Sequence, residues 1–484
     1  MQASGVINVL RALHDDAWDP QAGLIRAFPG MDPGKELTEP RHHPIRESAL
    51  GAYLDLAAGN CGRACAAIDG VIAAQYDTPG LIWHGTFRKA AEQPDPPGAG
   101  AIEWFHYDPN WRQFIGIIFA LCLTEFPSAI DVDRSSRMMN ALRLALEGEP
   151  VSRIAEWYTN PNLMHAWLEA WYGVRTGDDR YVRAGHQRAS LVHKRLVEYG
   201  DVDEYNSPTY DGIDLFAAAL WSKRPPHPDF ERFGNDFLRI IGQRLSRLYH
   251  RELGVMCGPH IRAYGLDLRR YVSLIGLWLT LAGEPIAKVL PEVLDERTVH
   301  IHDLYFFPIF AKLSDVVMPT IDLALPFPRS LEQAFDEELS SSRLTAQVAI
   351  GAERGRVPDF AKDQYIAVTA HAQRGSDRTY WVGLALGHLT ETIDGTIQSE
   401  TAITGCFGTA YPEQGNDVAV LSSIQPSVDG QELSVGPIVL TFDALPVSVH
   451  SSEQANGVLT RVRFTGTKAL FRLDVNLARH PQEQ

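Results

Sequence analysis

Residues 111–126 read WRQFIGIIFALCLTEF, and this stretch shows most clearly how the first half of the chain folds. Its apolar residues recur at intervals of three and four, as in Phe114, Ile118 and Leu121. This spacing places them on one face of a helix. The stretch therefore predicts a buried helix over Trp111–Phe126.

The same helical spacing extends outward on both sides, from residue 4 to about residue 295. Breaks rich in Pro, Gly and Asp separate the segments, which end where such residues stop a helix. The predicted helices are Ile45–Ala58, Cys61–Tyr76, Trp111–Phe126, Arg134–Glu147, Asn162–Thr176, Arg180–Tyr199, Gly212–Trp221, Asp229–Arg251 and Leu268–Ala282. Paired helices without a fixed repeat length favour a closed (α/α)6-type toroid of helical hairpins over a solenoid.

After about residue 320 the segments become short and rich in β-branched and aromatic residues, bounded by Gly, Asn, Asp and Ser. The predicted strands are Tyr365–Ala370, Thr379–Leu386, Val418–Ile424, Ile438–Phe442, Gly457–Thr465 and Leu470–Val475. The sequence therefore predicts an α+β multidomain fold class. A toroid over residues 1–324 would carry the catalytic site, and an antiparallel β-sandwich would follow over residues 325–484, with Leu325–Gln333 as the linker.

The composition excludes several classes of protein. The 484 residues are 45% hydrophobic and 10% aromatic, which supplies a core and rules out a disordered or fibrous chain. The 44 Lys and Arg against 60 Asp and Glu give a net charge of −16, which disfavours nucleic acid as a partner. No apolar run is long enough to predict a membrane segment. The amino-terminal residues lack an export signal, so we expect a cytoplasmic protein, with a processed leader as the alternative. The oligomeric state is left open.

The first of four polar clusters at the ends of predicted helices spans residues 104–111, WFHYDPNW. Asp108 or Asn110 would cap the helix that follows. The aromatic rings beside them are typical of a platform that stacks on the apolar face of a sugar, and a packed loop is the alternative. The predicted substrate-binding residues here are Trp104, His106, Tyr107, Asp108, Asn110 and Trp111.

The second cluster is residues 157–165, WYTNPNLMH. Asn162 and His165 are three residues apart, so a helix would present the amide and the imidazole on one face. Asn160 is a further candidate for substrate binding. The structural alternative is that an Asn caps the helix and His165 belongs to the core.

The third cluster is residues 204–212, EYNSPTYDG. Pro208 favours an extended residue before it, and Asp211 or Thr209 would cap the next helix. This places Tyr210 on a rigid turn. A phenol titrates at about 10, so Tyr210 could act as a general base only if a nearby cation lowers its pKa.

The fourth cluster is residues 258–267, GPHIRAYGLD. His260 would supply a second imidazole, and Arg262 would supply the cation that Tyr210 requires. Tyr264 is a further candidate for substrate binding. A polar surface loop is the alternative interpretation.

Together the second and third clusters resemble the heparinase II/III-like and alginate-lyase-like polysaccharide lyases. Those families carry an Asn-Asn-His-type element on a toroid helix and, further along the chain, a Glu-x-Ser-Pro-x-Tyr-His element with the catalytic tyrosine. Here Asn160-Pro-Asn162 and His165 are followed by Glu204-Tyr-Asn-Ser-Pro-Thr-Tyr210. Two positions differ from the family pattern: Asp211 replaces the His after the tyrosine, and the Asn-Asn-His element is spread out.

The resemblance implies a toroid followed by antiparallel sheets, and β-elimination on a uronate-containing oligosaccharide or polysaccharide. Tyr210 would remove the C5 proton or protonate the leaving O4. Asn162 (or Asn160) and Arg262 would neutralise the substrate carboxylate, with His165 or His260 assisting. The catalytic residues implied are Tyr210, Asn162, His165, His260 and Arg262, and the substrate-binding residues implied include Asn160, Glu204, Asn206 and Tyr264.

Three other classes remain open. A glycoside hydrolase of the six-hairpin type needs two carboxyl groups that flank the scissile bond. The candidates for that pair are Asp108, Glu204, Asp211 and Asp267. An α-toroid cyclase or dehydratase would protonate an alkene in an aromatic-lined pocket, although no DxDD motif is present. A pure binding module is the third alternative.

Two further residues are candidates for the substrate cleft. They are His84, within WHGTF at residues 83–87, and Arg46, within HHPIRES at residues 42–48, where a capped helix start is the alternative. His300 and His302 alternate along the chain, but two His residues alone make a weak metal site. No stronger set of ligands is legible, so neither a metal nor another cofactor is predicted.

Overall fold

The computed structural model describes the chain in ten segments. They are residues 3–31, 39–336, 338–355, 365–374, 378–385, 392–400, 403–411, 417–454, 456–465 and 469–477. No helix within these segments is both long and apolar enough to cross a membrane.

Twelve α-helices form within the described residues, all in the first two thirds of the chain. They are α1 Ala3–Ala17, α2 Ile45–Ala58, α3 Cys61–Ala73, α4 Trp111–Glu125, α5 Val132–Glu147, α6 Thr159–Thr176, α7 Asp179–Tyr199, α8 Tyr210–Lys223, α9 Pro228–Leu248, α10 Leu274–Leu281, α11 Ile286–Val289 and α12 Phe307–Val317. Two short hairpins lie among them: β1 Trp18–Asp19 with β2 Leu24–Ile25, and β3 Tyr249–His250 with β4 Val255–Met256. Short 3₁₀ turns occupy Gly98–Gly100, Ile301–Phe306 and Met318–Thr320.

Consecutive helices pack against each other, as α2 does with α3 and α4 does with α5. The α2–α3 connection turns at Gly59, whose φ of 83° is the left-handed conformation that favours glycine at the end of a helix. Asp131 begins α5, because its side chain accepts a hydrogen bond from the Arg134 amide at 2.8 Å. The predicted helix α4 is buried along most of its length, in agreement with its apolar sequence.

The last third of the chain forms antiparallel strands. They are β5 Arg329–Phe335, β6 Glu338–Leu344, β7 Val348–Arg354, β8 Ile366–Arg374, β9 Arg378–Ala385, β10 Thr392–Glu400, β11 Ile403–Tyr411, β12 Asp417–Ser422, β13 Ser427–Asp429, β14 Glu432–Val435, β15 Ile438–Phe442, β16 Ser448–Gln454, β17 Gly457–Arg463 and β18 Ala469–Val475. The hydrogen-bonded order is β13-β14-β15-β18-β11-β10-β7-β8-β9-β12-β17-β16, with β6 joining β5 to β7.

This sheet folds back on itself. Strands β14 and β15 contact β9 although several strands separate them in the hydrogen-bonded order. Apolar residues such as Leu440 and Phe471 are buried in this part of the sheet. Two facing layers of antiparallel strands are the arrangement of a sandwich. The predicted fold class, with helical hairpins first and antiparallel strands afterwards, is confirmed.

The predicted linker Leu325–Gln333 is wrong in its second half. Strand β5 begins at Arg329, and its partner is β6. Side chains along β5 alternate in exposure, but the sequences RSLEQAF and ELSSSRL contain no β-branched residue, so the strand signal was absent. The end of the predicted strand Thr379–Leu386, at Leu386, lies outside the described residues.

The chain divides into two compact units that do not follow the order of the sequence. The first unit contains Met1–Glu198, Ile213–Leu238 and Val293–Met318. The second unit contains Tyr199–Gly212, Arg239–Glu292 and Pro319–Gln484. The second unit thus joins the third and fourth sequence clusters to the β-sheet. The predicted division between residues 324 and 325 stays a prediction.

Candidate active site

Two groups of polar side chains gather the candidate residues, one group in each unit. The tyrosine cluster, in the second unit, consists of Glu204, Tyr210, Arg262 and Tyr264. The histidine cluster, in the first unit, consists of Gln113, Glu149, Asn162, His165 and Glu169.

The turn before α8 sets the position of Tyr210. The Ser207 hydroxyl accepts a hydrogen bond from the Tyr210 amide at 2.9 Å, and the Ser207 carbonyl accepts one from the Asp211 amide at 3.0 Å. Ser207 therefore caps the helix, where the sequence suggested Thr209 or Asp211. Tyr210 becomes the first residue of α8, so its ring is fixed by the helix start.

Arg262 is the residue around which the third and fourth sequence clusters meet. Its guanidinium donates to Glu204 Oε1 at 2.9 Å, and its carbonyl accepts the Ser207 hydroxyl at 2.6 Å. Its Cζ lies 3.6 Å from the centre of the Tyr210 ring, a cation–π contact. Glu204 and Arg262 are both buried. The spacing of Glu204, Ser207 and Tyr210 in the motif thus brings all three residues into contact with Arg262.

The tyrosine pair is the part of this cluster that solvent reaches. The Tyr210 and Tyr264 hydroxyls are 2.8 Å apart, and either can donate the hydrogen bond. Both side chains are partly exposed, whereas the arginine and glutamate behind them are not. The cluster therefore presents two hydrogen-bonded phenols on a buried ion pair.

Burial decides the protonation of Tyr210. It raises the pKa of Tyr210 well above the ordinary value of 10.0, and the charge of Arg262 acts in the opposite direction. The predicted cation is in place, but its effect on the pKa is smaller than that of burial. Tyr210 is therefore a neutral phenol at neutral pH, and the cation favours the phenolate only relative to a site without it.

The β-sheet holds the loop that carries Arg262. His260 pairs with Ile366 of β8 through two backbone hydrogen bonds, of 3.0 and 2.9 Å. The Gly258 amide donates to Thr369 Oγ1 at 3.0 Å. Strand β7 passes so close that a Cβ on Gly351 would lie 1.8 Å from the Gly258 carbonyl oxygen, so only glycine fits there. The loop is thus built onto the sheet within the second unit.

His260 and Asn206 lock the two loops together. The His260 ring donates from Nδ1 to the Asn206 carbonyl at 2.8 Å. The Asn206 amide donates to the carbonyls of Cys257 and Pro259 at 2.8 and 2.7 Å. Burial lowers the pKa of His260 to about 4, so its imidazole is neutral. These contacts give the predicted catalytic His260 and the predicted substrate ligand Asn206 a structural task.

Asp211 does not replace the family histidine as a free side chain. It accepts from Arg244 at 2.7 Å, and Arg244 also pairs with Asp201. All three side chains are buried. Burial raises the pKa of Asp211 to about 6, against the effect of Arg244. The two carboxyl groups around one arginine tie the start of α8 to α9.

Asn162 has all its amide atoms engaged. Its Nδ2 donates to the carbonyls of Ala155 and Tyr158 at 2.6 and 2.9 Å, and its Oδ1 accepts from Arg188 at 2.8 Å. These bonds close the loop before α6. The role of Asn162 as a donor to a substrate carboxylate is therefore not supported by its hydrogen bonds. Asn160, beside it, is fully buried.

His165 lies in a chain of polar groups that the sequence analysis missed. Gln113 Nε2 contacts both Glu149, at 2.8 Å, and His165 Nδ1, at 3.2 Å. His165 Nε2 lies 4.0 Å from Glu169, one helical turn further along α6. Burial lowers the pKa of His165 to about 3 and raises that of Glu169 to about 7. The spacing of four residues between His165 and Glu169 could have identified the pair.

The first sequence cluster is divided between core and surface. Tyr107 is buried against Trp83, and Asn110 joins Arg153 to the Tyr158 hydroxyl at 2.9 and 2.8 Å. Trp104 is 54% exposed, which leaves its ring available to a ligand. His106 and Asp108 accept hydrogen bonds from the backbone amides of Ile102 and Asn110. The separate candidate His84 accepts one from the Thr78 amide.

Arg46 lies at the start of α2 beside aromatic rings. Its Cζ is 5.9 Å from the centre of the Trp111 ring, and it pairs with Glu47 at 2.5 Å. Burial acts to lower the pKa of Arg46, but Glu47 and Asp303 outweigh it and raise the pKa.

The predicted pair His300 and His302 gains Asp303 as a third buried group. Arg46 would oppose a cation at that point.

The carboxyl groups proposed for a hydrolase are engaged elsewhere. Glu204 pairs with Arg262, Asp211 with Arg244, and Asp267 with Arg269 at 2.8 Å. Asp108, in the first unit, accepts a backbone hydrogen bond, and burial raises its pKa. In the second unit each candidate carboxylate is therefore held in an ion pair.

The comparisons with known proteins identify a family but no activity. The model of the family described as "Domain of unknown function (DUF8769)" matches residues 7–315. No curated protein matches the chain. Among solved structures, the chain is similar to a chondroitinase AC lyase studied in oligosaccharide complexes, with 10% identity, coverage of 99% of this chain and 81% of that chain, and a TM-score of 0.40.

It is also similar to a mutant of the chondroitin AC lyase from Streptomyces coelicolor A3. The identity is 10%, the coverage is 99% of this chain and 79% of that chain, and the TM-score is 0.36. Similarity at these TM-scores supports no statement about the chemistry of this chain. The resemblance to heparinase II/III-like proteins stays a prediction.

Proposed function

The chain belongs to the DUF8769 family, and we propose that it is a carbohydrate lyase that cleaves a uronic-acid glycosidic bond by β-elimination at the tyrosine cluster. One observation carries the proposal. The Tyr210 hydroxyl is hydrogen-bonded to a second phenol, and its ring lies on a buried guanidinium. The Glu204 to Tyr210 motif that resembles the lyase families is what builds this arrangement.

The proposed reaction uses Tyr210 as a phenolate. The neutral phenol first releases its proton to solvent, and Tyr264 then donates a hydrogen bond to the phenolate oxygen. The phenolate takes the C5 proton of the uronate, the C4–C5 double bond forms, and the C4–O4 bond breaks. Tyr210 returns its proton to O4 of the leaving sugar, so that acid and base are the same group.

Arg262 would act through its charge. It is buried against Glu204, so it lies under the Tyr210 ring instead of facing the substrate. A buried cation behind the phenol ring stabilises the phenolate without reorganising during the reaction. Glu204 holds the guanidinium in place and cancels part of its charge.

The first test is ultraviolet absorbance of the purified protein with a panel of uronate oligosaccharides. The panel would contain alginate, heparosan, hyaluronan, glucuronan and rhamnose–glucuronate types. The expected result is a rising absorbance from the new C4–C5 double bond with one of them. Tyr210→Phe should lower kcat by about 10³, within the range for loss of a general acid–base group.

A matched control is Tyr181→Phe, which removes a surface phenol bonded to Glu147 at 3.2 Å. It should leave kcat unchanged. Circular dichroism would show that both variants are folded. Reducing ends released from neutral glycosides, with no absorbance change on any uronate, would overturn the proposal in favour of hydrolysis. Full activity of Tyr210→Phe would overturn the role of the tyrosine.

The pH profile tests the ionisation. Because burial holds the pKa of Tyr210 above 10.0, the phenolate is a minor species at neutral pH. We expect kcat/KM to rise by about tenfold per pH unit up to the limit of protein stability. A bell-shaped profile centred near neutral pH would contradict a tyrosine base.

A further inference from the structure

Three potential metal ligands lie together on the first unit, outside both clusters. They are His186 on α7, His227 in the turn before α9, and Asp229 in the first turn of α9. His186 Nε2 is 2.8 Å from Asp229 Oδ2, and His227 Nδ1 is 3.8 Å from the same oxygen. The ligand atoms of the three residues all lie within 4.8 Å of one another.

These separations are short enough for the three side chains to surround one tetrahedral metal ion after small shifts. Zinc takes His nitrogen and carboxylate oxygen at about 2.0–2.2 Å, which puts its ligands about 3.3–3.5 Å apart. The three side chains are 33%, 36% and 38% exposed, so an ion can reach them from solvent and a water molecule can fill the fourth position. We propose that His186, His227 and Asp229 bind one zinc ion or a similar divalent transition metal.

Binding would replace two existing contacts. The His186–Asp229 hydrogen bond gives way to two metal bonds, and His227 Nδ1 gives up a 3.3 Å contact with the Asp229 amide. Arg232 binds the other carboxylate oxygen, Oδ1, at 3.1 Å, so Oδ2 stays available. Arg232 is 60% exposed and can turn away from the ion.

The site would fasten helices and take no part in sugar chemistry. His186 belongs to α7 and the other two ligands belong to the start of α9, so one ion would cross-link the two elements within the first unit. The carboxylate of Asp229 supplies the negative charge that a cation needs at the positive end of a helix. The proposal is independent of the function proposed for the tyrosine cluster.

A second His–Asp pair offers a matched control seven residues further along each helix. His193 Nε2 lies 2.8 Å from Asp236 Oδ2, as close as in the first pair. His193 stacks on Phe233 at 4.1 Å between ring centres, and His186 stacks on the same ring at 6.4 Å. In the described part of the chain, no third ligand joins His193 and Asp236.

The experiment is a Co²⁺ titration of the chelator-treated, full-length protein, followed by visible absorbance. Four-coordinate Co²⁺ with nitrogen and oxygen ligands gives an intense d–d band. We expect one equivalent to bind, and Zn²⁺ to displace it. His227→Ala and His186→Ala should each weaken Co²⁺ binding at least about tenfold, because each variant leaves only two of the three protein ligands. His193→Ala should bind like the unchanged protein.

The remaining outcomes overturn the proposal. Absence of the band at one equivalent refutes the site. Equal binding by His227→Ala and the unchanged protein places the ion elsewhere, and loss of the band in His302→Ala with retention in His227→Ala would assign it to the buried His300 group. Thermal unfolding without metal separates these results from misfolding, since His186→Ala and His193→Ala should melt within a few degrees of each other.

Discussion

The tyrosine cluster and the histidine cluster contain similar polar residues but differ in which of them are buried. In the tyrosine cluster the charged pair Arg262–Glu204 is buried and the phenols above it are partly exposed. In the histidine cluster Glu149 and His165 are themselves buried, and the Asn162 amide donates its hydrogen bonds to backbone carbonyls. A polar group that already satisfies its hydrogen bonds inside a protein has little left for a substrate. The difference favours the tyrosine cluster as the site of chemistry.

The largest expected effect comes from removing the buried cation. Arg262→Met leaves Glu204 buried without its partner, so we expect the free energy of unfolding to fall by about 3–5 kcal/mol in urea denaturation. The double variant Arg262→Met/Glu204→Gln should recover part of this loss. A fall below about 1 kcal/mol would mean that Glu204 reaches water once the arginine is gone.

The second largest effect is expected for Asn162→Ala, which tests whether the histidine cluster has a structural role. It removes the acceptor of Arg188 and two donors to backbone carbonyls, so we expect a loss of about 2–3 kcal/mol of stability with kcat/KM of the remaining folded protein nearly unchanged. Asn140→Ala, which removes an exposed contact with Arg143 at 2.9 Å, is the control and should cost less than about 0.5 kcal/mol. Loss of activity with full stability would instead place Asn162 against the substrate.

Glu169 gives the histidine cluster a pH signature. Burial raises the pKa of Glu169 from 4.5 to about 7, so the folded state binds the proton more tightly than the unfolded chain. Its contribution to stability is therefore full below pH 4.5 and is lost as the pH rises through about 7. The side chain is only 17% exposed, and we expect the unfolding free energy to fall by on the order of 2 kcal/mol over this window.

Glu169→Gln should remove that part of the pH dependence, as measured by urea denaturation at a series of pH values. Glu198→Gln, on α7, is a control that should leave the slope in place. An unchanged slope in Glu169→Gln would show that the group titrates near its ordinary value.

The smallest effect is expected at the helix cap. Ser207→Ala removes the acceptor of the Tyr210 amide and the donor to the Arg262 carbonyl. We expect a loss of about 1 kcal/mol, the usual cost of removing a cap. Thr209→Val serves as the comparison, because the sequence had suggested Thr209 as the cap. Equal losses in both variants would contradict the assignment of the cap to Ser207.

Helix positions were predictable because their signals are local. The pattern of α2 gave Ile45–Ala58 without error, and most other helix ends differ by a few residues. Strands with β-branched residues, such as Ile438–Phe442, were equally legible. The polar strands β5 and β6 were not, since their own composition carries no strand signal and β6 forms by pairing with β5 and β7.

The members of the tyrosine cluster were predictable from the sequence, but the contacts that each of them makes were not. The sequence singled out Tyr210, Arg262 and Tyr264, and the structure brings them together. It could not show that burial outweighs the charge of Arg262 in setting the Tyr210 pKa, since desolvation depends on long-range packing. It also missed Glu169, whose raised pKa comes from the same cause.

The position of the Arg262 loop depends on its contacts with strands β7 and β8. A protein shortened to residue 324 would retain every member of the tyrosine cluster. It would lack Ile366, Thr369 and Gly351, which hold the loop by backbone pairing and close approach. Residues 1–324 therefore lack part of what holds the Arg262 loop in place. The sheet holds the loop that carries Arg262, and exchanging the sheet for that of a relative should cost stability wherever Gly351 is replaced.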